Sequence, residues 1–127
     1  MIFEQKDPPR EFEVGVDTKS RIRDCGSILL GADEQVTFLT AAGGEYDVAR
    51  KSWGFYATPS LNGRLAHFNL RAVLVRSRNE RYFLLVVERG REEAFEAYIG
   101  SEGLSIVTWM DTTESLSAIA RGIAAIA

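Results

Sequence analysis

The chain has 127 residues, 46% of them hydrophobic and 26% charged, with a net charge of −3. That length suits one domain and buries about two-thirds of its unfolded surface, so a metal or disulfide staple is not required. The small negative charge argues against a dedicated nucleic-acid binder, which carries a basic excess to neutralise phosphates.

A single cysteine, Cys25, cannot form an internal disulfide and suits a reducing compartment. The opening residues MIFEQKDPPREFEV carry charges where a signal peptide needs an apolar run. No stretch reaches the ~18 apolar residues of a membrane span. The expectation is a cytoplasmic protein that binds neither membrane nor nucleic acid.

In chain order, residues 1–10 read as an extended arm because Pro8 and Pro9 cannot donate backbone hydrogen bonds. Phe12, Val14 and Val16 alternate with Glu11, Glu13 and Gly15, which predicts a short strand. Further strands are predicted over roughly 22–30, 35–40 and 45–50, separated by polar or glycine-rich turns. HFNLRAVLVR (67–76) and RYFLLVVE (81–88) flank a four-residue loop and form the strongest hairpin signal. Leu84–Val87 is apolar on both faces, which points to a central strand.

The periodicity then becomes helical over 91–99, with Ala94, Phe95, Tyr98 and Ile99 on one face. Residues 104–109 read as a strand, which completes a strand–helix–strand crossover. Asp111-Thr-Thr-Glu114 fits a capping box with Asp111 as N-cap. The C-terminal helix that follows carries a stripe of Leu116, Ile119, Ile123 and Ile126. The fold class expected is α+β, with six or seven mainly antiparallel strands, two helices and one domain over 1–127. The last helix is expected to dock on the sheet or on a second copy in a homodimer.

One stretch, KSWGFYATPSLNGRL (51–65), mixes aromatic, cationic and hydroxyl groups around a firm Asn62-Gly63 turn. Pro59 keeps the segment before it off a central strand. Two readings stand side by side. In one, Trp53 and Phe55 fill the core, Tyr56 sits at its rim and the cations are solvated. In the other, Lys51, Trp53, Tyr56, Thr58, Ser60 and Arg64 line a shallow site. Its aromatics would stack a ring, and its cations would hold an anionic group such as a sugar phosphate or nucleotide.

Residues 24–38, 45–65 and the hairpin 68–88 also resemble small bacterial proteins associated with surface-polysaccharide and nucleotide-sugar biosynthesis. That resemblance implies a glycan-related role and transfers no catalytic residue. The leading expectation is a noncatalytic binding or accessory protein for such an anion. The alternatives are a small isomerase or transferase acting on a sugar derivative, and a dimeric interaction module.

Other chemistry is sparse. Cys25 and His67 are the single thiol and single imidazole, so a nucleophile–base pair would have to use both. Their other reading is as buried strand residues. One His and one Cys do not make a zinc set, and no metal or cofactor is expected. Asp47 is matched with Arg50 or Arg64 as an ion pair. Arg71, Arg76, Arg78, Arg81, Arg89 and Arg91 crowd the 77–80 loop and its exit. They form either a solvated rim or an anion-binding or docking surface.

Overall fold

The computed structural model describes residues 1–57 and 59–126. Among them are eight strands in three antiparallel sheets and three helices, an α+β architecture. The first sheet is a hairpin of β1 (Ile2–Val14) and β2 (Ser20–Leu29). The predicted arm is therefore part of a strand. Its prolines sit where the β1–β2 register shifts between Gln5 and Arg10, the kind of irregularity that tolerates a missing donor.

The second sheet has the order β3 (Gln35–Leu39), β4 (Glu45–Lys51) and β5 (Gly54–Tyr56). β5 lies at the edge, as Pro59 demands. Gly44, in the β3–β4 turn, is buried against Leu70 and Glu88. A Cβ there would come within 2.7 Å of the Thr40 hydroxyl. The absence of a side chain lets this turn abut the third sheet.

The third sheet has the order β7 (Tyr82–Glu88), β6 (Leu70–Arg76) and β8 (Ser105–Trp109). β6 is antiparallel to both neighbours, so β7 and β8 run parallel with one strand between them. α2 (Glu92–Glu102) makes the crossover. The most apolar strand, β7, is thus an edge and β6 is the centre. The reason lies in what each strand pairs with. Val73 and Val75 on β6 are fully buried between two strands and α2, whereas Tyr82, Phe83 and Leu84 at the start of β7 are exposed.

Two clusters form the core, one on each face of β6. Val73, Val75, Val87, Phe95 and Ile99 pack together with Leu85, Leu104 and Trp109 around them. Phe95 meets the Trp109 ring edge-on at 5.7 Å. On the other face Leu65, Leu70 and Ala72 pack with Tyr46, Leu61, Val86 and Met110. Each fully buried large side chain contributes about 1.5–3 kcal/mol.

Arg71 fastens the edge of this core. Its guanidinium lies 3.9 Å above the Trp109 ring. Nε donates to Asp111 at 2.6 Å and Nη1 donates to Glu92 at 3.0 Å. This contact explains a departure from the predicted capping box. Asp111 is buried and engaged by Arg71. The cap of α3 (Thr113–Ile126) is instead Thr112, whose hydroxyl accepts the Ser115 N–H at 3.1 Å. Glu92 also accepts the Gly90 N–H at 2.6 Å, and its carboxyl is held below the usual range by backbone hydrogen bonding and by Arg71.

The periphery is far less covered. No residue of α3 is buried: Ile123 is 59% exposed and Ile126 85%. Leu116 and Ile119 in its first half are half-buried, and residues 120–126 are exposed. Phe3, Phe12, Val14, Ile22 and Ile28 of the hairpin are likewise exposed. No described helix is long and apolar enough to cross a membrane.

Candidate functional site

The segment 51–65 resolves into an edge strand, a turn and a short helix. After β5, Leu61-Asn62-Gly63 turns the chain into α1 (Arg64–His67). Ser60 organises this turn. Its carbonyl accepts the N–H groups of Gly63 and Leu65 at 3.2 and 3.1 Å, and its hydroxyl accepts the Arg64 N–H at 2.8 Å. Leu65, with no exposed surface, pins the helix to the sheet. Asn62 donates its amide to the Thr113 hydroxyl at 3.0 Å and fastens the start of α3.

Arg64 is thereby presented to β4. Its Nε donates a short hydrogen bond to Asp47, its Nη2 lies 3.6 Å from Glu45, and its guanidinium sits 4.5 Å over the Phe68 ring. Asp47 is buried and also accepts the Thr37 hydroxyl at 2.7 Å. The bond from Arg64, then that from Thr37, holds the Asp47 carboxyl below its ordinary value, and the same pairing raises Arg64. Of the two ion pairs suggested for Asp47, the one with Arg64 forms.

Lys51 is also engaged, with its amine 2.5 Å from Asp33. Tyr56 pairs with Ala49 across the β4–β5 ladder, so it shares a sheet face with Asp47 and Lys51. The structure thus brings Arg64, Tyr56 and Lys51 to one face, and both cations already hold carboxylates there. Trp53 stands in the β4–β5 turn, 71% exposed. Phe55 points to the opposite face, with Arg50 5.6 Å from its ring. Neither aromatic joins the core: β5 is a three-residue edge, and Trp53 and Phe55 are both exposed. Ser60 acts as a turn former, and Thr58 lies outside the described residues.

Cys25 is exposed on β2, with its thiol 3.6 Å from the Arg23 carbonyl. His67 is exposed at the end of α1 and meets Phe68 edge-on at 5.0 Å. Neither is the buried strand residue that one reading of the sequence expects, and no hydrogen bond between them occurs among the described residues. No three His, Cys, Asp or Glu side chains cluster as metal ligands among the described residues.

Two cavities flank the loop between β6 and β7. One, of about 500 Å³, is lined by Arg76, Ser77, Arg78, Glu80, Gly103 and Ser105, among others. Gly103 ends α2 with φ 67°, and a Cβ there would come within 2.9 Å of the Arg78 guanidinium. The bare glycine lets Arg78 lie flat against the last turn of the helix, where a cation also complements the dipole. Neither Arg76 nor Arg78 has an ion-pair partner among the described residues, in contrast to Arg64 and Arg71. The second cavity, of about 350 Å³, is more apolar and includes Val16, Arg81, Phe83, Tyr98 and Glu102. The arginine density around 77–80 is the one trace of this region in the sequence. Gly103 and Ser105 arrive from α2 and β8 and leave no local signal.

No family model, curated protein or solved structure matches the chain. The glycan-related role implied by the segments 24–38, 45–65 and 68–88 therefore gains nothing from these comparisons.

The Asp47 network gives a signed expectation. A carboxyl lowered by folding contributes stability that is complete above its ordinary value and is lost as pH falls through its folded value. Asp47→Asn is expected to cost about 1.5–3 kcal/mol at neutral pH, towards the low end because Arg64 is half exposed. That difference should shrink below about pH 4. Urea midpoints of both proteins across this range check it, and a difference that stays constant into acid would contradict the assignment.

Proposed function

We propose that the chain is a noncatalytic accessory protein that acts by binding another macromolecule. The observation that carries this reading is its uncovered apolar surface. A folded monomer of 14.1 kDa exposes about 6,700 Å², whereas this chain exposes 8900 Å². Among the described residues 22 large hydrophobic side chains are exposed, against eight buried apolar ones. Exposed apolar surface on this scale marks interaction sites in soluble proteins. The enzyme alternative has less to stand on, since the single thiol and the single imidazole have separate partners. Sedimentation velocity tests the reading. The expected result is a species heavier than 14.1 kDa that lightens on dilution. A 14.1 kDa species at every concentration that also leaves a hydrophobic dye dark would overturn it.

A second reading, binding of a sugar- or nucleotide-like anion, is supported by one feature. Arg76 and Arg78 line a common cavity, and among the described residues neither makes an ion pair. This place suits an anion better than the 51–65 segment, where Arg64 and Lys51 are already neutralised. Glu80 on the same wall weakens the field, so only a multiply charged group would be held. Pyrophosphate is expected to raise the melting temperature of the parent protein and of Arg64→Ala. It should not do so for an Arg76→Ala, Arg78→Ala double variant. A shift that survives the double variant, or none in the parent, would contradict the reading.

A further inference from the structure

β7 pairs with β6 on one side, and no described strand pairs with its other side. Two hydrogen bonds fix which of its backbone groups point outward. The Ser77 N–H donates to the Arg81 carbonyl and the Arg89 N–H to the Asn69 carbonyl, both at 2.8 Å. Bonded and non-bonded pairs alternate along an antiparallel ladder. The register between these two bonds is unbroken, so Phe83, Leu85 and Val87 exchange their bonds with β6. The N–H and C=O groups of Tyr82, Leu84, Val86 and Glu88 then point out of the sheet edge.

Native sheets guard such an edge with a bulge, a proline or a charged side chain. At the opposite edge of this sheet, the β6–β8 register shifts between Leu74 and Val75. β7 has no such shift, and Tyr82–Val87 contains no proline, glycine or charge.

A groove runs beside the open edge. Phe83, Leu85 and Val87 stand opposite Val75, Val73 and Arg71, which puts them on the α2 face. Phe83 and Leu85 line the 350 Å³ cavity described above, and Val87, Ala94 and Phe95 line another of about 320 Å³. Tyr98 lines both and joins them along the strand. A strand added to β7 would lay every second side chain into this groove.

Charge decides which strand fits. Arg81 bounds the first cavity and Arg91 the second, with Arg89 just past the end of β7. None of the three makes an ion pair among the described residues. Nearby carboxylates are otherwise placed. Glu102 accepts the Val16 N–H at 2.7 Å. Glu88 alternates to the opposite face, beside Gly44. Glu80 lines the cavity on the far side of the 77–80 loop, and Glu93 lines a hollow that no β7 residue reaches.

These arginines argue against a second copy of β7. The antiparallel register that pairs all seven strand residues sets Leu85 opposite Leu85, and Arg81 opposite Arg89 at both ends. Sliding one way sets Glu80 opposite Glu88, and sliding the other sets Phe83 opposite Arg89. Like charges directly opposed destabilise a ladder. Resting on the interaction reading above, we infer that β7 accepts, antiparallel along its free edge, an extended segment of another protein with apolar residues at alternate positions and a carboxylate at each end. The carboxylates stand opposite Arg81 and Arg89, about 27 Å apart along the strand.

The probe is the fluorescein-labelled nonapeptide ETVTVTVTE, titrated with the full chain by fluorescence anisotropy. Saturable binding is expected, and KTVTVTVTK should bind at least about tenfold more weakly. Methylating the amide nitrogens of the two central threonines, which face Leu84 and Val86, should abolish binding. Methylating that of the central valine, which faces solvent, should not. Leu84→Pro removes an outward N–H and no bond to β6, so it should keep the fold and lose the peptide. If Leu84→Pro fails to fold, the two methylated peptides on the parent protein decide. Equal binding of the lysine peptide, or of the threonine-methylated one, overturns the proposal. A parent dimer that Leu84→Pro splits, with no peptide bound by either, makes the occupant a second copy and also overturns it. No binding by the parent overturns it too, and the interaction reading then stands or falls on sedimentation alone.

Discussion

Val73 and Val75 on one face of β6, and Leu70 and Ala72 on the other, are withdrawn from water from two directions. The other buried apolar side chains of the two clusters pack against this strand. Phe95 and Ile99 bring α2 against the valine face. Leu65 brings α1 against the leucine face, with Tyr46 of the second sheet behind it. Arg71, on the same strand, ties α2 and the start of α3 together through Glu92 and Asp111. A seven-residue strand can organise only so much surface. The hairpin, β5 and most of α3 lie beyond its reach, and their apolar residues stay in water.

This distribution accounts for what could be read from the residues. Alternation and turn chemistry are local, so β2, β3, β4, β6, β7, β8 and the crossover helix stood close to where periodicity placed them, whereas most of β1 was read as an arm and β5 and α1 were not foreseen. The Asp47–Arg64 pair was also legible, because a carboxylate on one predicted strand faced few cations near a firm turn. Strand order is not local. Leu84–Val87 looked central because it is apolar on both faces, yet β6, with two paired neighbours, took that place. The N-cap of α3 passed from Asp111 to Thr112 for a similar reason: Arg71, forty residues away, claimed the stronger acceptor.

The candidate site was legible only in part. The mixture of groups in 51–65 predicted Trp53, Tyr56 and Arg64 on one surface; Tyr56 shares a sheet face with the Asp47 carboxylate that Arg64 of α1 engages, while Trp53 stands in the turn. Sequence did not show that Lys51 would find Asp33 in the turn before β3. Nor could it show Trp53 and Phe55 as exposed, since composition makes large aromatics core residues by default. Their exposure belongs with that of Phe3, Phe12, Ile22 and Ile123. A chain with enough apolar residues for a larger core has distributed them over surfaces that a single copy does not close.

The central claim is that the hairpin and α3 are ordered because something covers them. Amide hydrogen exchange at two protein concentrations tests it most directly, since exchange reports the opening of each element separately. The account predicts that amides of β1, β2 and α3 are protected at high concentration and lose protection together on dilution, while those of β6 stay protected throughout. Hairpin and α3 amides that exchange at once at every concentration, beside a protected β6, would contradict it.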